Sequence, residues 1–339
     1  MMICPILFIN LFVTYSGKRT SIFIHGTGFA DVLLPHFTGI GCEHSHLFSI
    51  IRSDEIVDFD IVILHLNDHA NFMEKYLRCN VTSNKIMILL SYESPYSVRR
   101  TLNLPLSQKY FTHWVFSYYK TSYFYVPYGY FKKKEHQETN QRIRLDERRK
   151  GIAGIISNCN MRKSVRLRYI RSLTEHIPVS LYGECYNHTI TDVERDQILS
   201  KHKFFLAFEN SHCEEYNTEK YWHSVVDGAI PIVMSYDKNL DHLIPGSYLD
   251  VFNFSNPKHL AQHLKDVMSC SQKEMFYHQW RKSYDAFIPK FSMDNCEMLE
   301  TINQLLENNM GEDPTIHKLG NWSVCVDSVE VQQMIMSDP

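Results

Sequence analysis

A surplus of basic charge is missing. The 339 residues carry 35 Lys and Arg against 38 Asp and Glu, a formal charge of −3, which argues against a duplex-coating nucleic-acid binder. No Cys-x-x-Cys pair occurs among the nine cysteines, so zinc and thioredoxin-type readings lack their spacing. The eighteen histidines include His44-x-His46 but no His-Glu-x-x-His, and no metal site is expected. Gly26-Thr27-Gly28 continues as Phe29-Ala30-Asp31, without the third glycine of a dinucleotide fingerprint, and no phosphate-loop Gly-Lys-Ser/Thr is present. Asp58-Phe59-Asp60 has the form of a metal–diphosphate Asp-x-Asp, yet it precedes its strand, at the wrong end of a sheet, so Asp60 reads as a strand-entry residue. Internal repeats and low-complexity tracts are absent, and 13 Gly, 12 Pro and 44% hydrophobic residues describe ordinary globular material with length enough for two domains.

Long apolar runs are also lacking. Residues 1–15 carry no charged side chain and Lys18-Arg19 come shortly after; as a helix this stretch spans about 22 Å, short of the roughly 30 Å of a bilayer core. A buried first strand is the plain alternative to a signal peptide or truncated signal-anchor, and the secretory reading is preferred. The basic pair lies after the apolar run, the wrong asymmetry for an anchor with a cytosolic N-terminus. Four Asn-X-Ser/Thr sequons, at Asn80, Asn187, Asn253 and Asn321, are N-glycosylation candidates. Together with the cysteines they favour a lumenal chain, with Cys42, Cys79, Cys159, Cys185, Cys213, Cys270, Cys296 and Cys325 available to pair beyond the leader.

Strand and helix patterns alternate on both sides of a charged stretch. SIFIH (21–25), IVILHL (61–66) and KIMILLS (85–91) read as short buried strands. Residues 132–150 are hydrophilic and read as a linker. Beyond it, strands are expected at 151–157, 179–183, 204–208, 229–235 and 247–252. Helices are expected at 164–176, with Leu167, Ile170, Leu173 and Ile177 on one face, and at 191–201, 218–228 and 256–268, the last capped by Ser255 or Asn256 with Pro257 in its first turn. This alternation implies doubly wound parallel sheets. The expected division is 1–15 signal segment, 16–131 N-terminal domain, 132–150 linker, 151–310 C-terminal domain and 311–339 tail.

Ligands of doubly wound sheets bind at the carboxyl ends of strands. After 204–208 come Glu209-Asn210-Ser211 and then Asn217-Thr218-Glu219-Lys220 opening a helix, so an N-terminus and a lysine converge where a phosphate is welcome. After 151–157 come Asn158, Asn160 and then Arg162, Lys163, Arg166, Arg168 and Arg171 with no acid among them. A solvated helix face is the ordinary reading of such a run; its place after a strand turns it toward a diphosphate. In the first half, 85–91 ends in Tyr92-Glu93-Ser94-Pro95, a carboxylate placed to act as a general base, and His65, Asn67, Asp68 and His69 end the neighbouring strand.

Residues 204–234, FFLAFENSHCEEYNTEKYWHSVVDGAIPIVM, resemble the signature of the α-1,3-fucosyltransferases (glycosyltransferase family 10), and 157–173, 181–185, 91–95, 112–129 and 252–264 resemble further family blocks in family order. The resemblance, over roughly residues 40–300, implies an α/β GT-B fold, two Rossmann-like doubly wound domains facing a central cleft, and an inverting enzyme that moves L-fucose from GDP-fucose to an N-acetylglucosamine hydroxyl of a glycoprotein glycan, core or outer-branch. It implies Glu93 as the acceptor-activating base and donor contacts at Arg166, with Arg168 the neighbouring alternative, and at Asn210, Tyr216, Glu219 and Lys220. No metal is required for the chemistry, although the family allows stimulation by Mn or Mg. A Golgi-lumenal, type II membrane-anchored setting is implied as well, with the membrane reached through the N-terminal segment and no nucleic-acid partner. The chain departs from the family at His46, where a second cysteine often succeeds the one resembling Cys42, so a local disulfide there is not expected. Glu215 stands for the usual aspartate before Tyr216, and the N-terminus lacks the full anchor. A catalytically silent glycan- or nucleotide-binding relative, or a GT-B enzyme with another donor, is the alternative.

Overall fold

The computed structural model describes residues 19–25, 41–53, 55–78, 85–101, 111–136, 150–159, 165–235, 237, 240–289, 295–319, 321 and 324–336. Chain contacts divide it into two units, Met1–Pro127 with Lys290–Asn321, and Tyr128–Pro289 with Trp322–Pro339.

The first unit is built on β1 (Thr20–His25), β2 (Phe48–Ser53), β3 (Ile61–His65), β4 (Lys85–Ser91), β5 (Phe111–Ser117) and β6 (Phe124–Tyr125). They form one sheet in the order β2-β1-β3-β4-β5-β6, every pairing parallel. A parallel sheet needs both faces covered, and for that reason its central strands are continuous apolar runs: all five residues of β3 are buried. Helices α1 (His69–Arg78) and α2 (Pro95–Thr101) come after β3 and β4. Phe59, Phe72, Tyr76 and Phe111 make an aromatic cluster with ring centroids 4.9–6.5 Å apart. Asp60 sits at the entry of β3 as expected: its Oδ2 accepts from Ser21 N–H at 2.9 Å, and Lys85 lies 3.9 Å from its Oδ1.

Residues 290–321, which the sequence pattern divides between the C-terminal domain and the tail, cluster instead with the first unit. The buried Asp313 explains part of this. Its carboxylate accepts backbone N–H bonds from Val115 (3.1 Å), Tyr123 (2.7 Å) and Thr315 (2.8 Å), and Trp114 Nε1 donates to Gly311 O at 3.0 Å. Cys296, at the start of α8 (Asn295–Glu307, the eighth α-helix among the described residues), forms a disulfide with Cys42 across 254 residues. The partner of Cys42 is therefore remote, consistent with the histidine found at position 46.

The second unit carries β7 (Tyr130–Lys133), β8 (Lys150–Ile155), β9 (Val179–Tyr182), β10 (His202–Ala207), β11 (His212–Cys213), β12 (Ile230–Val233), β13 (Leu249–Asp250), β14 (Tyr284–Phe287) and β15 (Cys325–Val326). Its helices are α3 (Arg166–Thr174), α4 (Asp192–Lys201), α5 (Glu219–Asp227), α6 (Pro257–Met268), α7 (Ser271–Phe276) and α9 (Ser328–Ile335). The main sheet is parallel in the order β13-β12-β10-β8-β9, and two antiparallel pairs, β11–β15 and β7–β14, stand apart from it. Local signals explain the helix starts. Thr191 and Glu194 close a capping box on α4, and Asn256 Oδ1 accepts from His259 N–H at 3.1 Å ahead of Pro257 in α6. The buried face of α3 is Arg166, Tyr169, Ile170 and Leu173, with Leu167 only partly buried, so an arginine enters the stripe expected to be apolar.

The stretch 132–150 is not purely a linker: Lys132 and Lys133 pair with Asp285 and Tyr284, β8 begins at Lys150, and 137–149 lie outside the described residues. The N-terminal apolar run and the Gly26–Gly28 segment also lie outside them. Among the described residues, no helix is long and apolar enough to cross a membrane.

His69 and His113, both buried in the first unit, carry a pH prediction. Burial lowers each to about 4, and for His113 the neighbouring His69 adds to the effect. Both stay neutral in the folded unit down to that pH, whereas in the unfolded chain they charge below about 6.5. The unfolded state therefore binds more protons between pH 6.5 and 4, and the first unit is expected to lose stability progressively as pH falls through that window. Urea unfolding followed by Trp114 fluorescence at pH 7.5 and 5 checks it; His113→Phe should flatten the slope.

Candidate functional site

In the second sheet the strand order reverses between β8 and β10, the topological switch point at which open α/β sheets bind ligands. A cavity of about 300 Å³ lies there, lined by Ile155 at the end of β8 and Ser157 and Asn158 after it, Phe205 and Asn210 from β10 and the loop following it, Arg166 from α3, Arg195 and Leu199 from α4, and Glu219, Lys220 and His223 from α5. Two glycines of this unit allow close approaches of its elements. Gly183, with φ +96°, ends β9 where a Cβ would meet the backbone of Ile156. Gly129 leaves no room for a Cβ against Trp222 of α5.

Arg166 is buried, with 3% of its surface exposed. Its guanidinium donates to Phe208 O at 3.0 Å and Asn158 O at 2.6 Å, which holds it across the ends of β8 and β10. Lys220, on the first turn of α5, donates to Glu209 Oε2 (3.0 Å), Glu219 Oε1 (2.9 Å) and Thr218 Oγ1 (2.8 Å). Glu209 is buried and also accepts from Thr218 N–H at 2.8 Å and Thr218 Oγ1–H at 2.9 Å. The Thr218 hydroxyl is thereby turned to Glu209, and it makes no side-chain cap on α5. Burial pushes the Glu209 carboxyl up, opposed by the Lys220 charge. For Glu219 burial acts in the same upward sense, but Lys220 outweighs it and holds that carboxyl at about 2. Lys220 resists its own burial because both carboxylates raise its ammonium. The result is a lysine head group fixed by two carboxylates beside a helix N-terminus, with the Arg166 guanidinium on the same cavity; the free N–H groups of that N-terminus and the two oriented cations are what an anionic ligand can use.

The structure divides the residues expected at the site. Arg166, Asn210, Glu219 and Lys220 line one cavity. Arg168 does not: it is exposed and donates to Gln332 of α9. Arg171 is exposed, and Arg162 and Lys163 lie outside the described residues, so the basic run is not one wall. Tyr216 is buried outside the cavity lining, packed edge-on against Tyr128 at 6.5 Å. Glu93, in the first unit, is exposed two residues beyond β4, between buried Tyr92 and Ser94. His65 and His69 are buried within that unit. Of the sequons, Asn187, Asn253 and Asn321 are exposed, and Asn80 lies outside the described residues.

Sequence reasoning named Glu209 and Asn217 without giving either the role seen here, and missed His223 and Arg195. Glu209 neutralises Lys220, and Asn217 Oδ1 accepts from Ser235 Oγ (3.0 Å) and His242 Nε2 (2.8 Å), fastening the loop before α5 to the residues beyond β12. His223 falls one turn after Glu219, a spacing that could have indicated it. Arg195 had no such signal. Among the described residues one group, Asp196, His223 and Asp227, brings three ligand atoms within 4.8 Å. Arg195 already holds Asp196 through bonds of 3.0 and 2.8 Å, so the group is partly charge-compensated and fits a metal poorly.

Residues 145–322, more than half of the chain, match the model of glycosyltransferase family 10 (fucosyltransferase), C-terminal region. The chain belongs to this family. The cavity residues fall within the matched span. Among similar curated proteins, the rat α-(1,3)-fucosyltransferase 4 is 29% identical over 247 residues, 69% of this chain and 54% of the rat protein. The 4-galactosyl-N-acetylglucosaminide 3-α-L-fucosyltransferase FUT6 of Pongo pygmaeus is 29% identical over 53% of this chain and 51% of its own length. The 3-galactosyl-N-acetylglucosaminide 4-α-L-fucosyltransferase FUT3 of Pan troglodytes is 28% identical over 56% and 51%. The chain thus spans about half the length of the curated relatives it matches. Its fold is similar to that of an α1,3-fucosyltransferase crystallised with GDP, with a TM-score of 0.54, 14% identity and coverage of 92% of this chain and 96% of that one. The two Rossmann-like sheets are those of the GT-B class.

Proposed function

We propose that this chain is an inverting α-1,3-fucosyltransferase that moves L-fucose from GDP-fucose to an N-acetylglucosamine hydroxyl of a glycoprotein glycan. The observation that carries the reading is the convergence of Arg166, Asn210, Glu219 and Lys220 on one cavity at the β8/β10 switch point. The relatives' names supply the sugar, and the neighbouring structure with GDP supplies the nucleotide.

In this reading the diphosphate lies against Lys220, Arg166 and the first turn of α5. Transfer separates charge: the sugar becomes oxocarbenium-like while negative charge gathers on the departing GDP, and fixed cations already oriented by Glu209, Phe208 O and Asn158 O stabilise it without reorganisation. Glu219, ionised because Lys220 holds its carboxyl at about 2, is suited to accept hydrogen bonds from donor hydroxyls. Glu93 takes the proton of the acceptor hydroxyl as that oxygen attacks the anomeric carbon opposite GDP, one displacement with inversion. No metal enters the chemical step; Mn or Mg stimulation would be a separate effect. The disulfides Cys42–Cys296, Cys159–Cys185 and Cys213–Cys325 and the exposed sequons support folding in the secretory pathway, with the Golgi lumen the expected compartment.

Nucleotide selectivity tests the donor. GDP at about 100 times its Kd should stabilise the second unit by about 2.7 kcal/mol, a rise of several degrees in Tm, and UDP at the same concentration should give much less. Equal or greater stabilisation by UDP would refute the assignment. Fucose transfer from GDP-fucose to a glycan panel then selects the acceptor, including the 3- and 4-hydroxyl alternatives that the relatives' names distinguish.

A further inference from the structure

The family match ends at residue 322, yet residues 324–336 are packed into the donor-side unit. Val331 and Ile335 of α9 are fully buried in the second core, and the helix starts at a cap in which Asp327 Oδ1 accepts from Val329 N–H at 2.7 Å. Just before it, β15 pairs antiparallel with β11, His212 opposite Val326 and Cys213 opposite Cys325, and the two cysteines are bonded. Glu214 N–H donates to Val324 O at 2.8 Å.

The partner of this segment is the loop 208–218, which joins β10 to α5 and carries Glu209, Asn210 and Thr218. Only two of its residues are in a strand, and that strand exists through β15. From β11 the connections run both ways. His212 Nε2 accepts from Val165 N–H at 3.4 Å, immediately before Arg166. Beyond Cys213, Glu215 takes a left-handed φ of +56°, held by a bond from its N–H to Asp237 Oδ2 at 2.8 Å, before the chain enters Thr218 and α5. Such a conformation persists only where its surroundings hold it.

We propose that residues 324–336 form a strap that fixes the donor loop in its binding geometry, with Cys213 and Cys325 as positioning residues for the nucleotide sugar. The inference rests on the donor reading under Proposed function. The bridge contributes by preorganisation: it touches no ligand, and it spares the loop the ordering that donor binding would otherwise require.

The test is GDP titration, donor kinetics and amide hydrogen exchange on the parent, on C213S/C325S and on the control C42S/C296S, whose bridge lies in the first unit. In C213S/C325S the Kd for GDP and the KM for GDP-fucose should rise about tenfold with kcat changed less than about threefold, because preorganisation acts on binding. Exchange of amides 209–218 should quicken, while that of β8 and β12 stays as in the parent. C42S/C296S should bind GDP as the parent does. Unchanged GDP affinity and loop exchange in folded C213S/C325S overturn the proposal. Should that variant not fold, D327A, which only weakens the α9 cap, is expected to move both readouts in the same direction, and no movement overturns the proposal equally. If the parent itself fails to bind GDP, the donor reading has failed, and the exchange rates alone then decide whether the strap holds the loop.

Discussion

Lys220→Met is expected to lower kcat/KM for GDP-fucose by about 10³-fold, because it removes the cation assigned to the leaving diphosphate. It should also destabilise the second unit, for a reason separable from catalysis. The Glu209 side chain is 2% exposed and Lys220 supplies its countercharge at 3.0 Å. Removing one partner of a buried pair leaves an uncompensated charge, a loss of about 3–5 kcal/mol. Glu209 can escape that cost by taking up a proton, which burial already favours. The destabilisation should therefore shrink as pH falls. Adding Glu209→Gln should return most of the stability while leaving the donor defect in place. Denaturant unfolding and donor kinetics on the two single variants and the double variant measure both effects. If Glu209→Gln rescued transfer as well as stability, Lys220 would be a structural cation and the site assignment would fail.

Glu93→Gln is expected to lower kcat by about 10²–10⁴-fold, the range of a general base, with GDP binding and stability unchanged. The substitution keeps the shape and removes the ability to accept a proton at neutral pH. Its separation from folding comes from position. Glu93 is exposed, whereas Tyr92 and Ser94 beside it are buried, and Ser94 Oγ accepts from Ser97 N–H at 3.3 Å at the start of α2. The chain around Glu93 is thus held without its carboxylate. Because Glu93 belongs to the first unit and Lys220 to the second, the two variants should divide the phenotype: Glu93→Gln binds GDP as the parent does and transfers slowly, and Lys220→Met is impaired toward the donor itself. A Glu93→Gln protein that transfers fucose as fast as the parent would remove Glu93 from the mechanism.

Sequence patterns carried much of both sheets. The apolar run 85–91 coincides with β4, and the strands read at 61–66, 179–183 and 204–208 match β3, β9 and β10 to within two residues at each end. Parallel strands buried on both faces must be continuous apolar runs, so they show in one dimension. Of the two-residue strands, β13 falls within the apolar run read at 247–252, whereas β6, β11 and β15 have no such run around them and a pair that short has no period of its own. The sequence left Arg168 as the neighbouring alternative to Arg166, and it is Arg166 that lines the cavity. Two residues apart on a helix is about 200° of rotation, so only one of the two can face the cavity. Charge alone does not say which, whereas packing of Tyr169, Ile170 and Leu173 on the core turns Arg166 inward and Arg168 toward Gln332.

What the sequence by itself determined was chemistry with local cause. The strand end that carries Asn210, the helix start that carries Glu219 and Lys220, the Asn256 cap on α6 and the family all come from residue order, because strand periods, caps and motifs are properties of neighbours in the chain. Tertiary structure alone decided partnerships across distance. Cys42 bonds to Cys296, Cys213 to Cys325, residues 290–321 return to the first unit, and Glu209 becomes the countercharge of Lys220. Each depends on which surfaces are buried together. Burial is a property of the packed chain, and the missing charge surplus, metal spacing and glycine fingerprint could limit those partnerships without naming them.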